Sequence, residues 1–461
     1  MNKHTFISAL AAIALGSFPL GAVPSLAATV AAQEAQAPEE LTPLATDLVN
    51  SLVKQDFVRA AQNFDDSIKA QLPPEKLQAS WQELTTQIGA FKKTIATDNR
   101  SIKEFFVVTI ASEFERANID IVITFNNDKK VIGLNFQPSK VASEYQPPTY
   151  AKLNSFREQE VTVGSGKWAL PGTLTLPKGS GSFPVIVLVH GSGPNDRNES
   201  SGPNRPFQDL AWGLASQGIA VLRYEKRTKA HPQEFVALGE NFTLREETID
   251  DALAAVKLLR ETPGIDPKKI FVLGHSLGGM AIPQIGTLDP EIAGLIVLAG
   301  NTRPLEDLIV AQSIYLVGLK GSISAAEQQQ IDTLKKQAKK VKELPLSCIH
   351  PPASQLLGVP AKYWLYLLVY QPANVAREVT QSMLLLQGER DYQVTLNEDF
   401  QGWRNILTQK KNATFKSYPK LNHLFLEGEG ISTPIEYQFP SHIPEVVIND
   451  IGNWVKKPKG T

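Results

Sequence analysis

The chain has 461 residues, of which 42% are hydrophobic and 20% are charged, so it holds enough apolar side chains for two folded cores. It carries 46 basic and 47 acidic residues, and a net charge of −1 gives no electrostatic basis for binding nucleic acid or an anionic membrane. The only cysteine, Cys348, excludes an internal disulfide, and its type favours a small buried side chain.

The N-terminal segment has the pattern of an export signal. A weakly basic start precedes a charge-free stretch, residues 6–28, that is rich in alanine and leucine, and Ser25-Leu26-Ala27 fits a cleavage site. We predict a signal peptide over residues 1–28, cleaved after Ala27 or Ala28, and a periplasmic or secreted protein with no membrane contact afterwards. A retained anchor is the alternative, but two glycines and two prolines interrupt the apolar run.

Residues 29–40 are expected to form a disordered spacer, and residues 41–140 a separate α+β domain. Apolar residues recur at helical spacing from Leu44 to Phe64, Pro73-Pro74 opens a further helix, and three strand-like runs follow. This order is similar to that of small nuclear-transport-factor-like domains. The domain contains no catalytic constellation, so we interpret it as a structural appendage, with ligand capture or homo-oligomerisation as alternatives.

A linker over residues 141–150 leads into a domain over residues 151–461 that begins with a hairpin. Phe183 to His190 (FPVIVLVH) is typical of a strand buried on both faces of a parallel sheet. It ends in His-Gly-Ser-Gly, where a backbone N–H can bind an oxyanion. Ser192 is the preferred donor and Gly191 the near alternative, while a plain loop joining strand to helix would explain the glycines equally well.

The segment from Ile270 to Met280 reads IFVLGHSLGGM, a strand followed by G-x-S-x-G and a helix. This is the pattern of a nucleophile elbow, in which Gly274 and Gly278 make room for a tight turn. The turn exposes the Ser276 hydroxyl and directs the Leu277 N–H at the reacting carbonyl. A chance glycine-serine turn is the alternative, which the preceding strand and the double glycine disfavour.

A nucleophilic serine needs a base and an acid that orients it. Strand-like Met383 to Gln387 is followed by a loop with Asp391, and Ala413 to Tyr418 is followed by His423. The order serine, acid, histidine is that of the α/β-hydrolases. Two other carboxylates compete with Asp391: Glu389 lies too close to the strand end, and Asp399 belongs on the following helix. Among the other histidines, His190 and His275 are interpreted as packing residues.

About 80 residues separate the strand at Leu295–Ala299 from the strand at Met383, far more than a usual connection. We predict a helical cap over residues 301–382. Its most apolar part, KYWLYLLVY at 362–370, either lines a substrate pocket or packs the cap onto the sheet, and the sequence does not decide between them.

From Val161 to Lys456 the chain resembles the serine α/β-hydrolases, specifically bacterial carboxylesterases with an appended N-terminal domain. The resemblance lies in GTLTLP, VLVHGSGPNDRNE, VLRYEKR, IDPKKIFVLGHSLGG, LIVLAGNTRPLEDL, LLLQGERDYQV and LNHLF. It implies a Ser276, Asp391 and His423 triad, short-chain ester substrates, and neither a metal nor an organic cofactor. Many relatives carry Asp-Lys-Arg-Gly where this chain has Glu225-Lys226-Arg227-Thr228. Because this loop lies near the rim of the active site in the fold, the resemblance does not define the substrate preference of this chain.

The expected fold is therefore α/β: a mostly parallel, doubly covered sheet of the α/β-hydrolase type with a helical cap insertion, preceded by a small α+β domain. The expected function is hydrolysis of small esters through an acyl-enzyme on Ser276. Thioesterase, acyltransferase or peptidase chemistry with the same triad is the alternative. A non-catalytic alternative is a binding protein on a hydrolase scaffold. Another alternative is a hydrolase that its N-terminal domain tethers to a polymer or partner.

Overall fold

The computed structural model describes residues 38, 40–102, 105–115, 117–139, 145–319, 321–346 and 355–457. The predicted signal peptide, most of the predicted spacer, the start of the linker and Cys348 lie outside the described residues. Every helix within the described ranges is too short or too polar to cross a membrane.

The N-terminal part of the described chain is an α+β layer. Its elements are helices α1 (Leu41–Val53), α2 (Phe57–Ala60), α3 (Asp66–Gln71) and α4 (Pro74–Ile88) and strands β1 (Phe91–Ile102), β2 (Phe105–Phe114), β3 (Asn118–Phe125) and β4 (Val131–Pro138). The strands pair antiparallel in the order β1-β2-β3-β4. Ile121 and Ile123 of the sheet share a buried core with Leu52 and Trp81 of the helices. This confirms the expected α+β class.

Strand β1 is an element that the sequence analysis does not anticipate. Within the described residues it pairs only with β2, so it forms an edge of the sheet. None of its twelve residues is fully buried. Phe91 packs against the core, but the rest of β1 is exposed or half-buried, so its sequence (FKKTIATDNRSI) has no apolar alternation by which a strand could be recognised.

The larger part of the chain is built on an eight-stranded mixed sheet, counted over the described residues. Its strands are β5 (Phe156–Val163), β6 (Leu170–Pro177), β7 (Phe183–Val189), β8 (Ala220–Tyr224), β9 (Ile265–His275), β10 (Gly294–Leu298), β13 (Ser382–Gly388) and β14 (Ala413–Tyr418). They lie in the order β14-β13-β10-β9-β7-β8-β6-β5. The six strands from β14 to β8 are parallel, and the hairpin β5-β6 adds an antiparallel edge.

Helices connect and cover these strands. They are α5 (Pro206–Ala215), α6 (Arg227–Ala230), α7 (Pro232–Val236), α8 (Asp250–Arg260), α9 (Leu277–Leu288), α10 (Leu305–Gly318), α11 (Ala325–Lys342), α12 (Ala361–Val369), α13 (Pro372–Glu378), α14 (Gln401–Ile406) and α15 (Glu445–Lys456). Along β7, Val185 and Val187 enter a core shared with α8 and α9, whereas Ile186 and Leu188 enter a core shared with α5 and α15. The sheet is thus covered on both faces, which confirms the predicted α/β-hydrolase architecture.

Helices α10 to α13 and a short hairpin, β11 (Gln355–Leu356) with β12 (Val359–Pro360), occupy the long connection between β10 and β13. Tyr363 and Trp364 of α12 are buried, and the indole N–H of Trp364 donates to the Leu356 carbonyl at 2.7 Å. The Tyr370 hydroxyl donates to the Met280 carbonyl of α9 at 2.5 Å. These aromatic side chains therefore hold the insertion together and fix it onto helix α9.

Candidate active site

Ser276 occupies the turn between β9 and α9. Its φ of 53° and ψ of −117° lie outside the regions that ordinary residues prefer, as expected of a nucleophile elbow. Its N–H donates to the Leu298 carbonyl of β10 at 2.9 Å, which fixes the turn to the sheet. The residue is partly exposed although its neighbours His275 and Leu277 are buried. The side chain is therefore accessible at the carboxyl end of the parallel strands, where α/β folds bind ligands.

The two elbow glycines are required because backbone segments meet there. A Cβ on Gly274 would lie 2.3 Å from the Gly278 carbonyl oxygen, and a Cβ on Gly278 would lie 2.3 Å from the carbonyl oxygen of Val189. The start of α9 therefore packs directly on the end of β7. This contact brings the loop after β7 next to the serine: a Cβ on Gly191 would lie 3.1 Å from that of Ser276.

The structure brings Asp391 and His423 together. Asp391 Oδ2 lies 2.7 Å from His423 Nδ1, and both side chains are buried. The carboxylate also accepts the N–H groups of Gln393 and Val394 at 2.8 and 2.9 Å and the Gln387 side-chain amide at 3.0 Å. A carboxylate that accepts several N–H donors is held in one orientation, so it can select the His423 tautomer that carries the proton on Nδ1.

His423 is also tied to the elbow. The His275 ring, directly before Ser276, lies with its Nε2 2.9 Å from the His423 carbonyl oxygen and its centroid 4.7 Å from that of the His423 ring. Among the described residues, the Ser276 hydroxyl has no hydrogen-bond partner. Hydrogen bonds between nucleophile and base are often loose without a substrate and tighten when one binds.

The two rival carboxylates have other partners. Glu389 is exposed and accepts the Ser417 hydroxyl at 2.7 Å. Asp399 is fully buried against Arg303, and it also accepts the N–H groups of Thr302 and Arg303 at 3.1 and 3.0 Å. Neither carboxylate contacts His423, so of the three candidates only Asp391 is placed to orient it.

In the loop after β7, the structure distinguishes the two predicted oxyanion donors. The Gly191 N–H donates to Glu199 Oε1 at 2.6 Å and is therefore not available to a substrate. For the Ser192 N–H, no acceptor exists among the described residues. Leu277 begins α9, where N–H groups point out of the helix and its dipole favours negative charge. The alternative assignment to Gly191 is corrected, and Ser192 and Leu277 remain as candidate donors.

A second acid–histidine pair, Glu199 and His275, lies behind the elbow. Glu199 Oε2 lies 2.9 Å from His275 Nδ1 as an ion pair that is not well aligned as a hydrogen bond. Burial opposes the charge on each group, but their attraction outweighs it, so the pKa of His275 is raised and the pKa of Glu199 is lowered. Both His275 nitrogens are engaged, by Glu199 and by the His423 carbonyl, which leaves none to take a proton from Ser276.

Both His275 and His190 are buried and pack against other rings, as predicted, but His275 also links Glu199 to the His423 loop, a role that the sequence analysis did not assign to it. His190 packs against Phe207 and Tyr224, and burial lowers its pKa to about 4, so it is neutral. Sequence reasoning missed Glu199 because it follows a glycine- and asparagine-rich loop whose fold, including a φ of +50° at Glu199, has no local pattern. The only signal in the sequence is His275, the residue directly before the nucleophile.

A shallow, largely apolar depression, open to solvent, begins at Gly193 and Pro194 of the loop that follows Ser192. Its walls are the side chains of Phe235 and Phe242, whose rings lie 4.7 Å apart, together with Val359 of the cap hairpin. The depression thus lies between the loop that follows Ser192 and the cap hairpin, and Glu247 also lines it. An apolar wall beside a few directed polar groups is typical of a small-molecule pocket.

Comparison with known proteins agrees with this geometry. Residues 183–429 match the family model described as serine aminopeptidase, S33, and residues 45–134 match a family described as a protein of unknown function, DUF3887. Esterase EstD of Thermotoga maritima is 38% identical over 409 residues, which cover 89% of this chain and 94% of the relative.

Other similar proteins match a smaller part of the chain or have a lower sequence identity. Esterase FrsA of Klebsiella pneumoniae subsp. pneumoniae is 24% identical over 147 residues, 32% of each chain. The solved acylaminoacyl peptidase of Pyrococcus horikoshii is 13% identical with a TM-score of 0.45, covering 80% of this chain and 56% of that one. Since the family model spans more than half of the chain and the match to EstD nearly all of it, the protein belongs to the α/β-hydrolase family of serine hydrolases that includes Esterase EstD.

Proposed function

We propose that the protein is a serine carboxylesterase that cleaves small esters through an acyl-enzyme on Ser276. The observation that carries this proposal is the buried Asp391–His423 pair, held 2.7 Å apart and tied through His275 to a strained, partly exposed serine. Membership in a serine hydrolase family with an esterase relative supports it.

The reaction follows from the atoms that face the site. His423 Nε2 takes the Ser276 proton while the serine oxygen attacks the ester carbonyl, and the protonated imidazole is stabilised by Asp391. The N–H groups of Leu277 and Ser192 bind the oxyanion, and each donor of this kind contributes about 3 kcal/mol to the barrier reduction. The imidazolium then protonates the leaving alkoxide. Water, activated by the same histidine, releases the acid.

The preference for small esters rests on the depression beside Pro194. Phe235, Phe242 and Val359 form a short apolar wall that suits a small acyl or alkoxy group. Val359 of the cap hairpin bounds the depression, so we expect a long chain to extend beyond it into solvent. We therefore propose that turnover falls as the acyl chain is lengthened.

The test is hydrolysis of p-nitrophenyl esters from acetate to palmitate by the wild type and by Ser276→Ala. We expect turnover that peaks at short chains in the wild type and is lost by about six orders of magnitude in Ser276→Ala. The matched control is Ser200→Ala, which alters an exposed serine in the loop between β7 and α5. We expect it to keep wild-type turnover. Turnover retained by a folded Ser276→Ala would refute the serine mechanism.

No turnover of any ester by folded wild type would redirect the assignment to thioesters, peptides or ligand binding. We also propose, from the leader sequence, that the mature protein is exported to the periplasm or beyond. Fractionation of a culture, followed by N-terminal sequencing, would test this through a mature terminus at Ala28 or Thr29. Self-association through the N-terminal domain is a further proposal that the mass of the protein in solution would test.

A further inference from the structure

We propose that Lys226 is a positioning residue that orients the Ser192 N–H for the oxyanion, and that Tyr363 of the cap holds Lys226 in place through Glu247. This inference rests on the proposed function, because it assigns a role in ester hydrolysis. Lys226 lies in the segment Glu225-Lys226-Arg227-Thr228 that follows β8.

Lys226 is a buried cation with fixed partners. Its side chain is 3% exposed, and Nζ lies 2.8 Å from the Gly191 carbonyl oxygen and 2.7 Å from Glu247 Oε1. A lysine ammonium is strongly hydrated and is rarely buried without a counter-charge. Burial of this one beneath a loop of the site needs both the carboxylate and the carbonyl, so the loop and the ammonium constrain each other.

The contact with Gly191 determines where the next N–H points. In a trans peptide, the carbonyl of one residue and the N–H of the following residue lie on opposite sides of the same plane. Lys226 Nζ holds the Gly191 carbonyl from one side, assisted by the Asn195 side-chain amide at 3.2 Å. The Ser192 N–H therefore points away from Lys226.

The other side of Gly191 is fixed as well. Its N–H donates to Glu199, and its Cα lies against Ser276, as the 3.1 Å Cβ distance shows. Both peptide groups that flank Gly191 are thus held, one by Glu199 and one by Lys226. In addition, a cation on the carbonyl oxygen polarises the shared peptide group and makes the Ser192 N–H a stronger donor.

Glu247 connects this arrangement to the cap. Its Oε1 accepts from Lys226, and its Oε2 accepts the Tyr363 hydroxyl at 2.7 Å. Tyr363 belongs to α12, and burial together with Glu247 raises its pKa well above the usual value, so the hydroxyl remains a donor. A continuous series of hydrogen bonds therefore runs from the cap helix to the candidate oxyanion donor.

The test compares Lys226→Met with Lys229→Met, which makes the same change at an exposed lysine three residues further on. With p-nitrophenyl acetate, we expect kcat to fall about 100-fold in Lys226→Met and KM to change less than threefold. The reason is that the Ser192 N–H would no longer be oriented toward the oxyanion of the transition state. Lys229→Met keeps both constants. Tyr363→Phe, which removes only the outer hydroxyl, should lower kcat about fivefold.

A second readout separates orientation from general damage. Sulfur accepts hydrogen bonds more weakly than oxygen, so a working oxyanion site favours an ester over the matched thionoester. We expect this ester-to-thionoester ratio to fall at least tenfold in Lys226→Met. Lys226→Gln, which keeps an N–H donor, should recover part of the ratio and serves as the test variant if Lys226→Met does not fold.

The inference would be overturned by an unchanged ratio in folded Lys226→Met, or by equal losses for ester and thionoester in both Lys226 variants. The esterase assignment would still stand if the wild type is active and Ser276→Ala is inactive. If the wild type itself hydrolyses no ester, the proposed function fails instead. In that case the same variants would be compared on the thioester or peptide substrate that the wild type does cleave.

Discussion

At the scale of single residues, the carboxylates Asp391 and Glu389 differ in what they touch. Asp391 is buried with His423 Nδ1 and two backbone N–H groups, whereas Glu389 faces solvent and the Ser417 hydroxyl. In Asp391→Asn, an amide replaces the acceptor that fixes the His423 tautomer. We expect the rate of ester hydrolysis to fall by roughly four orders of magnitude.

Glu389→Gln is the matched control, because it removes a carboxylate charge in the same loop, two residues from Asp391. It should keep the wild-type kcat and KM for p-nitrophenyl acetate. The opposite result, a near-normal Asp391→Asn with an inactive Glu389→Gln, would move the orienting acid to Glu389 and require the loop to rearrange in the substrate complex.

The two acid–histidine pairs at the site can be assigned by their nitrogens. His275 uses Nδ1 for Glu199 and Nε2 for the His423 carbonyl, whereas His423 uses only Nδ1, for Asp391. A general base needs a free nitrogen, so this geometry supports the proposed role of His423 as the base, whereas His275 bridges the elbow and the His423 loop. This distinction depends on contacts between segments about 75 and 150 residues apart and has no counterpart in the local sequence.

At the scale of elements, the turn between β9 and α9 depends on glycine at position 278. An alanine Cβ there would lie 2.3 Å from the Val189 carbonyl oxygen, which is main chain and cannot move aside without displacing β7. We expect Gly278→Ala to lower the free energy of unfolding by about 3 kcal/mol or more, as overpacking of rigid surroundings does. Urea denaturation of the two proteins measures this.

Gly318→Ala is the control for that change. Gly318 ends α10, and a Cβ at that position would meet no atom within 4 Å. The free energy of unfolding should stay within about 1 kcal/mol of the wild type or rise slightly, since alanine favours the helix. Equal destabilisation by both substitutions would mean that the close approach at Gly278 is relieved elsewhere and does not hold the elbow.

The same elements show how much could be predicted from the sequence. Strands β7 and β9 carry continuous apolar runs because both of their faces are buried, and such runs end at the loops that bear Ser192 and Ser276. Edge strand β1 has no such run. Glu199 could not be recognised either, because its role depends on a loop geometry and on a partner, His275, that is distant in the chain. Strong local patterns were therefore predictable, and contacts between loops were not.

At the scale of the whole molecule, the described chain has separate cores for its N-terminal layer and its hydrolase sheet. The N-terminal core is formed by buried residues between Leu41 and Val131, and Phe439 is the hydrolase-domain side chain that the described structure packs against it. The segment from Tyr145 onwards belongs to the hydrolase side: the Tyr145 hydroxyl donates to Asp209, and that of Tyr150 donates to the Ile443 carbonyl at 2.7 Å.

We therefore expect a mature protein that lacks residues 29–140 to fold and to hydrolyse p-nitrophenyl acetate with kcat and KM within about threefold of the full chain, since no residue of the candidate site lies in the deleted part. Deletion of residues 29–150 removes Tyr145 and Tyr150 as well, so it should lower the melting temperature of the hydrolase domain by several degrees through lost packing and hydrogen bonds. A folded first truncation with more than tenfold lower turnover would contradict the separation of the two cores. It would assign the N-terminal layer a part in the reaction, whereas turnover that is kept would restrict its role to binding, tethering or self-association.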